Sequence, residues 1–172
     1  FIGVVLIPMR NELWIADGNQ VWCEDKSGAR KEVKFSNNFS LKDMTIVTSK
    51  NHRNKKLQDL IDKLGFKKSL VMGSIGCKIA SIVRGESDIY ISLSLPGKSA
   101  PKDWDFAAPE IILRQAGGAI TNLYNEELSY NNQNFRQEGI VIASNNIKNH
   151  KIICLEIQKV IQKYNIFPLR AN

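Results

Sequence analysis

Cysteine is scarce and poorly spaced for metal binding. Only Cys23, Cys77 and Cys154 occur, far apart and odd in number, with no CxxC pair. That argues against a thiolate metal site and points to a reducing cytoplasm with small buried thiols. Long apolar runs are missing too: none approaches the roughly 20 residues that a membrane span needs. The opening "FIGVVLIPMRNELW" has neither a basic n-region nor a small-residue cleavage site, so it reads as a strand, not a signal. Acidic residues are outnumbered, 17 against 24 basic ones, for a net charge of +7. Such a balance favours anionic partners: nucleic acid, a membrane surface or phosphorylated small molecules. No internal repeat, low-complexity tract or interdomain linker stands out.

What is present is ordinary for one soluble domain with a real core. The chain has 172 residues, 43% hydrophobic and 24% charged, values typical of globular proteins. It begins at Phe1, inside a strand with no lead-in. The expectation is therefore the later part of something longer.

The chain has two rhythms. Residues 1–23 read as an antiparallel meander: "IGVVLI", "LWIAD" and "VWCE" are strands, and "PMRNE" and "GNQ" are turns. Residues 24–44 read as a hairpin edge or loop. Beyond them strands alternate with helices. "TIVTS" (45–49) precedes a helix with Leu57, Leu60, Ile61 and Leu64 on one face, stopped by Gly65. "SLVM" (69–72) leads into a turn and helix over 73–85, ending at Gly85, followed by the strand "DIYIS" (88–92).

In "KDWDFAAPEIILRQAGG" (102–118), Asp105 is placed as N-cap and Gly117 as the stop. Ala108, Ile111, Ile112, Gln115 and Ala116 share a face, and Pro109 is tolerated near the first turn. "AITNL" (119–123) is a strand, "YNEE" a turn and "LSY" its return. "GIVIAS" (139–144) precedes a last helix, Ile147–Tyr164, apolar at 153, 157, 160 and 161. This alternation predicts an α/β fold, a layered mixed sheet flanked by helices.

Three places can carry chemistry. "MGSIGCK" ends a strand, turns at Gly73-Ser74 and opens a helix. Free N–H groups at such a start bind phosphate, and Lys78, one turn on, faces the same side. A capped helix with a surface lysine is the plain alternative. Asp105 is either an ordinary N-cap or one ligand of a hard cation such as Mg²⁺. One carboxylate cannot complete a two-metal phosphatase site. His52, in "TSKNHRNK", either touches a phosphate or a base, or is an exposed loop histidine. The surrounding "KNHRNKK" (50–56) is either a solvated helix start or an anion-binding cluster. His150, in a polar turn, is given no role.

"GSIGCKIASIVRGESDIYI" followed by "WDFAAPEIILRQAGGAITNLYNEELSY" resembles the C-terminal half of the inositol monophosphatase superfamily, Mg²⁺-dependent, lithium-sensitive phosphatases. The "WDxAAP…AGG" block is that superfamily's specific second signature. "GVVLIPMRNELWIA" resembles the strand pair after its first signature. The closest resemblance is to the 3′(2′),5′-bisphosphate nucleotidase branch, whose members remove the 3′-phosphate of 3′-phosphoadenosine 5′-phosphate to give AMP.

The resemblance implies the roles. Asp105 is the metal-ligating aspartate of the second signature, and Gly73 and Ser74 border the phosphate. Lys78 contacts the substrate's phosphates. His52 is a softer match, and Arg84, in "VRG", is either a substrate contact or structural. The complete enzyme holds two or three Mg²⁺ ions and acts on a small phosphorylated substrate as a cytoplasmic monomer or homodimer. The "DPIDGT"-like first signature and a Glu-rich metal segment do not occur in these residues. The expectation is an inactive piece in which residues 1–44 complete a preceding domain and 45–172 form the C-terminal subdomain.

Lys78 speaks against the alternative, an inositol or sugar monophosphatase. A noncatalytic anion- or nucleic-acid-binding module is the more distant alternative. It wants aromatics interleaved with basic residues, whereas burial explains Trp14, Trp22 and Trp104.

Overall fold

The computed structural model of the chain describes residues 1–31, 33, 35, 38–50, 54–95, 97–132 and 134–169. Strands β1 (Gly3–Ile7), β2 (Glu12–Ala16), β3 (Val21–Glu24) and β4 (Arg30–Lys31) form an antiparallel meander in chain order. A 3₁₀ turn over Pro8–Arg10, closed by Asn11 at φ 53°, joins the first two. Period-2 alternation gives this sheet its faces. Ile7, Trp14, Ala16 and Cys23 point into the core, while Val4 and Leu6 stay 51% and 62% exposed on β1, an edge strand.

The second sheet holds β5 (Thr45–Ser49), β6 (Lys68–Met72), β7 (Ile89–Ser94), β8 (Ala119–Asn122) and β9 (Gly139–Ser144), in the order β6-β5-β7-β9-β8. β5 runs parallel to β6 and β7, and β9 antiparallel to β7 and β8. It is the mixed sheet the alternation predicts. Strand β7 is buried along its whole length, because both of its faces are covered.

Helices α1 (Lys55–Leu64) and α4 (Ile147–Tyr164) cover one face. Leu57, Leu60, Ile61, Ile153 and Ile157 pack there against Ile46, Ile89, Ile91 and Ile142. Helices α2 (Ile75–Val83) and α3 (Asp103–Gln115) cover the other, and the meander closes over them. Ile79, Ile82, Phe106, Ile112 and Leu113 fill this layer between Trp14 on one side and Val47, Tyr90, Ile120 and Val141 on the other. Burying each such side chain stabilises the fold by roughly 1.5–3 kcal/mol.

Being sandwiched changes α3. A one-sided helix would bury a single stripe, yet Asp103, Phe106, Pro109, Glu110, Ile112 and Leu113 are all buried. Ala108, Ile111, Gln115 and Ala116, expected to share the core face with Ile112, are only partly buried. Pro109 is the seventh helical residue, beyond the first turn, so the Asp105 carbonyl loses its i+4 N–H donor. The double glycine ends the helix. Gly117 takes φ 100°, which a side chain rarely adopts, and the Gly118 N–H bonds back to Leu113 O at 2.9 Å. A Cβ on Gly118 would lie 2.5 Å from Ser144 O and 2.6 Å from Leu113 Cδ1.

Three smaller expectations need correcting. Residues 128–130 form no return strand. Tyr130 instead donates its hydroxyl proton to the buried Glu110 carboxylate, whose pKa burial raises. Cys77 is half-buried, unlike Cys23 and Cys154. His150 sits in the first turns of α4, fully buried between Thr121 Oγ1 at 2.8 Å and Ser144 Oγ at 2.7 Å. Burial pushes its pKa down to about 4.

Gly118→Ala is expected to cost about 1–3 kcal/mol, because the Ser144 backbone cannot yield to the added methyl. A urea midpoint unchanged from wild type would show that α3 can move away from β9.

Candidate active-site cavity

The parallel strands β5 and β7 end at Ser49 and Ser94, where a cavity of about 610 Å³ opens. Open α/β sheets bind ligands beyond the carboxyl ends of their strands. Here the starts of two helices border the same space: Gly73, Ile75 and Lys78 from the α2 side, Pro101 and Asp105 from the α3 side. At the α2 start, free N–H groups bring partial positive charge to the cavity, whereas at the α3 start the Asp103 and Asp105 N–H groups are already bonded, to Phe135 O and Lys102 O.

Two lysines line it, Lys78 and Lys98, and Lys78 is the buried one. Its side chain is only 1% exposed, and its Nζ donates to Gly73 O at 2.6 Å over the Tyr90 ring, 5.2 Å from the centroid. Burial pushes its pKa down to about 8, against the smaller opposing pull of Cys77 and Asp105. One turn of helix and one carbonyl hold an ammonium that remains mostly charged at pH 7.

Two acids open α3 and have different duties. The N-cap position belongs to Lys102, not Asp105. Asp103, first in the helix, is buried and fully engaged: Oδ1 accepts from Gln137 Nε2 at 2.6 Å, and Oδ2 from the Asn131 N–H at 2.7 Å. It ties the loop after β8 to the helix start. Asp105, third in the helix, accepts the Lys102 N–H through Oδ2 at 2.8 Å, one half of a capping box. Its other oxygen takes no hydrogen bond among the described residues, and the residue lines the cavity. A hard cation takes carboxylate oxygens, and Asp105 fits as one such ligand. Among the described residues no group of three or more His, Cys, Asp or Glu could hold a metal.

The structure thus brings Gly73, Lys78 and Asp105 to one cavity. Ser74, the N-cap of α2, is exposed; its hydroxyl makes no cap bond, and it does not line the space. His52 lies outside the described residues, so the site is built without it. Arg84 does not line the cavity: it closes the far end of α2, where it pairs with Glu12 at 2.7 Å and Glu86 at 3.0 Å, which favours the structural one of its two readings. Those bonds brace α2 against the meander. Trp104 is also not buried. It is 66% exposed beside Phe135, because the second residue of α3 points away from both sheets.

Sequence reasoning passed over Asn54, Ser49, Ser92 and Ser94, which line the cavity. Asn54 caps α1 through the Leu57 N–H and donates to Leu93 O at 3.1 Å. The serines carried one readable signal: in "YISLS" polar residues alternate with apolar ones at the end of a strand.

Solved structures share this architecture. An IMPase of Thermotoga maritima superimposes with a TM-score of 0.69 at 23% identity, over 94% of this chain and 57% of that one. The inositol monophosphatase family model matches residues 1–162, and the chain belongs to that family. Among curated relatives, mouse 3′(2′),5′-bisphosphate nucleotidase 1 is 32% identical over 103 residues, 59% of this chain and 32% of the relative. The 3′(2′),5′-bisphosphate nucleotidase CysQ of Buchnera aphidicola is 28% identical over 129 residues, 75% of this chain and 45% of the relative. The matches thus span less than half the length of these two curated relatives. No helix among the described residues is long and apolar enough to cross a membrane.

The two acids should separate in stability. Asp103→Ala is expected to cost about 2–4 kcal/mol, since it strips partners from buried Gln137 and a backbone N–H. Asp105→Asn keeps its acceptor oxygen and is expected to stay within about 0.5 kcal/mol of wild type. Equal urea midpoints for the two variants would refute this division. Lys78 predicts a pH effect. Its folded pKa lies below the unfolded value of 10.5, so burying the charge costs stability fully below about pH 8. That cost fades as pH rises toward 10.5. Lys78→Met should therefore raise stability in urea unfolding at pH 7 by about 1–2 kcal/mol and lose this advantage by pH 10.

Proposed function

We propose that this chain supplies the substrate-holding part of a Mg²⁺-dependent phosphatase that converts 3′-phosphoadenosine 5′-phosphate to AMP and phosphate. The observation that carries the reading is a buried lysine sharing one cavity with a carboxylate, one of whose oxygens takes no hydrogen bond among the described residues. The family match and the bisphosphate nucleotidase relatives support the same reading.

The roles follow from the chemistry. Lys78 and the free N–H groups at the α2 start bind phosphate oxygens, and Gly73 lets the anion approach the backbone. A substrate with two phosphates repays a buried cation better than a single-phosphate sugar does. Asp105 would hold Mg²⁺, with the remaining ligands supplied from outside the described residues. When bound, Mg²⁺ supplies charge neutralisation for phosphoryl transfer. Water adds to phosphorus, the bond from phosphorus to the ribose 3′-oxygen breaks, and that oxygen leaves with a proton.

The same reading assigns residues 1–44 to a domain shared with further chain and 45–172 to the C-terminal subdomain. The open edge and exposed apolar face of β1 support that division.

Purified residues 1–172 are expected to release no phosphate above background with Mg²⁺. Measurable turnover by them alone would overturn the divided-site reading. In a protein that carries the remaining metal ligands, the bisphosphate nucleotide should be hydrolysed faster than inositol 1-phosphate. Asp105→Asn should lower kcat there on the order of 100-fold. The reverse substrate order would make the protein an inositol or sugar monophosphatase.

A further inference from the structure

Ser92 is out of place by the ordinary rules of burial. It is 8% exposed, and its Oγ makes no hydrogen bond among the described residues. The Tyr90 hydroxyl faces Ser92 and Ser49; burial raises its pKa, and both serines lower it as hydrogen-bonding neighbours. Among the described residues, however, no hydrogen bond of ordinary geometry reaches Ser92 Oγ. A buried hydroxyl without a partner destabilises a fold, and alanine would avoid that cost at nearly the same volume. The residue lines the cavity.

Its surroundings define what it can take. On β7, Tyr90, Ser92 and Ser94 alternate with Ile89, Ile91 and Leu93, which face the α1/α4 core. The strand ends thus offer three neutral hydroxyls, Ser49, Ser92 and Ser94, while the charged groups come from elsewhere: Lys78 and Asp105 from the helix side and Lys98 from the loop after β7. Anions are drawn to the helix side. A neutral group that both donates and accepts suits the serine wall.

We propose that Ser92 is a substrate-recognition residue whose hydroxyl pairs with the free sugar hydroxyl of the nucleotide. The proposal rests on the nucleotide reading above and adds the part of the substrate that the strand ends recognise. With a phosphate held at the α2 start, the sugar lies over the end of β7, and its 2′-hydroxyl satisfies Ser92 Oγ. Ser92 then discriminates ribose from deoxyribose.

The test is binding, measured calorimetrically at pH 7 without metal. Its ligands are 3′-phosphoadenosine 5′-phosphate and its 2′-deoxy counterpart. Wild type is expected to prefer the ribose ligand by about 3- to 10-fold, the worth of one such bond. Ser92→Ala should raise the Kd of the ribose ligand by that factor, leave the deoxy ligand unchanged and abolish the preference. Its Tm without ligand should equal or exceed that of wild type, because an unpaired hydroxyl is removed. A lower Tm would show that the hydroxyl serves the fold, and would overturn the proposal. So would equal weakening of both ligands, or no weakening, in a wild-type protein that binds nucleotide; the nucleotide reading would survive. Wild-type binding of inositol 1-phosphate but of neither nucleotide would sink both.

Discussion

Helix α3 is pinned by close contact on both of its faces, and the cavity depends on that. On one side Gly3 of β1 lies so near that a Cβ would sit 2.8 Å from Ala108 O. On the other, Gly118 brings the chain against Ser144 of β9, where a Cβ would meet the carbonyl at 2.5 Å. No side chain fits at either point, so the distance between the two sheets is set by backbone contact. The first turn of α3, with Asp103 and Asp105, is delivered to the strand ends by that spacing.

Given a fixed helix, the division of labour between its two acids follows from direction. Asp103 points back into the loop that follows β8 and is consumed by Gln137 and Asn131. Asp105, two residues on, is rotated by more than half a turn and reaches the cavity. Across from it, α2 is braced at its far end by the Glu12–Arg84–Glu86 pairs and presents Lys78 at its near end. Most of the net charge of +7 lies on the surface, and of the two lysines that line the cavity Lys78 is the buried one.

Much of this was legible in order along the chain. The meander, the alternation of strands and helices, and the stops at Gly65, Gly85 and Gly117 follow from local periodicity and from φ values that only glycine takes easily. Gly73, Lys78 and Asp105 could be singled out because a helix start after a strand has a fixed chemistry. Most of the errors share one cause. The buried face of α3, the burial of His150 and the exposure of Trp104 all depend on what lies beside the helix in space, whereas the depth of Pro109 follows from α3 starting after Lys102 and not after Asp105.

The sequence by itself determined the elements, the class of fold and the family, because short-range spacing and signature blocks record those directly. Only the tertiary structure decided which polar groups converge. Ser49, Asn54, Gly73, Lys78, Ser92 and Asp105 come from five separate stretches of chain. Their meeting reflects parallel strands ending together and two helices wedged between sheets. It also decided that both oxygens of Asp103 are engaged, by partners 28 and 34 residues away, while Asp105 spends one on the Lys102 N–H and lines the cavity.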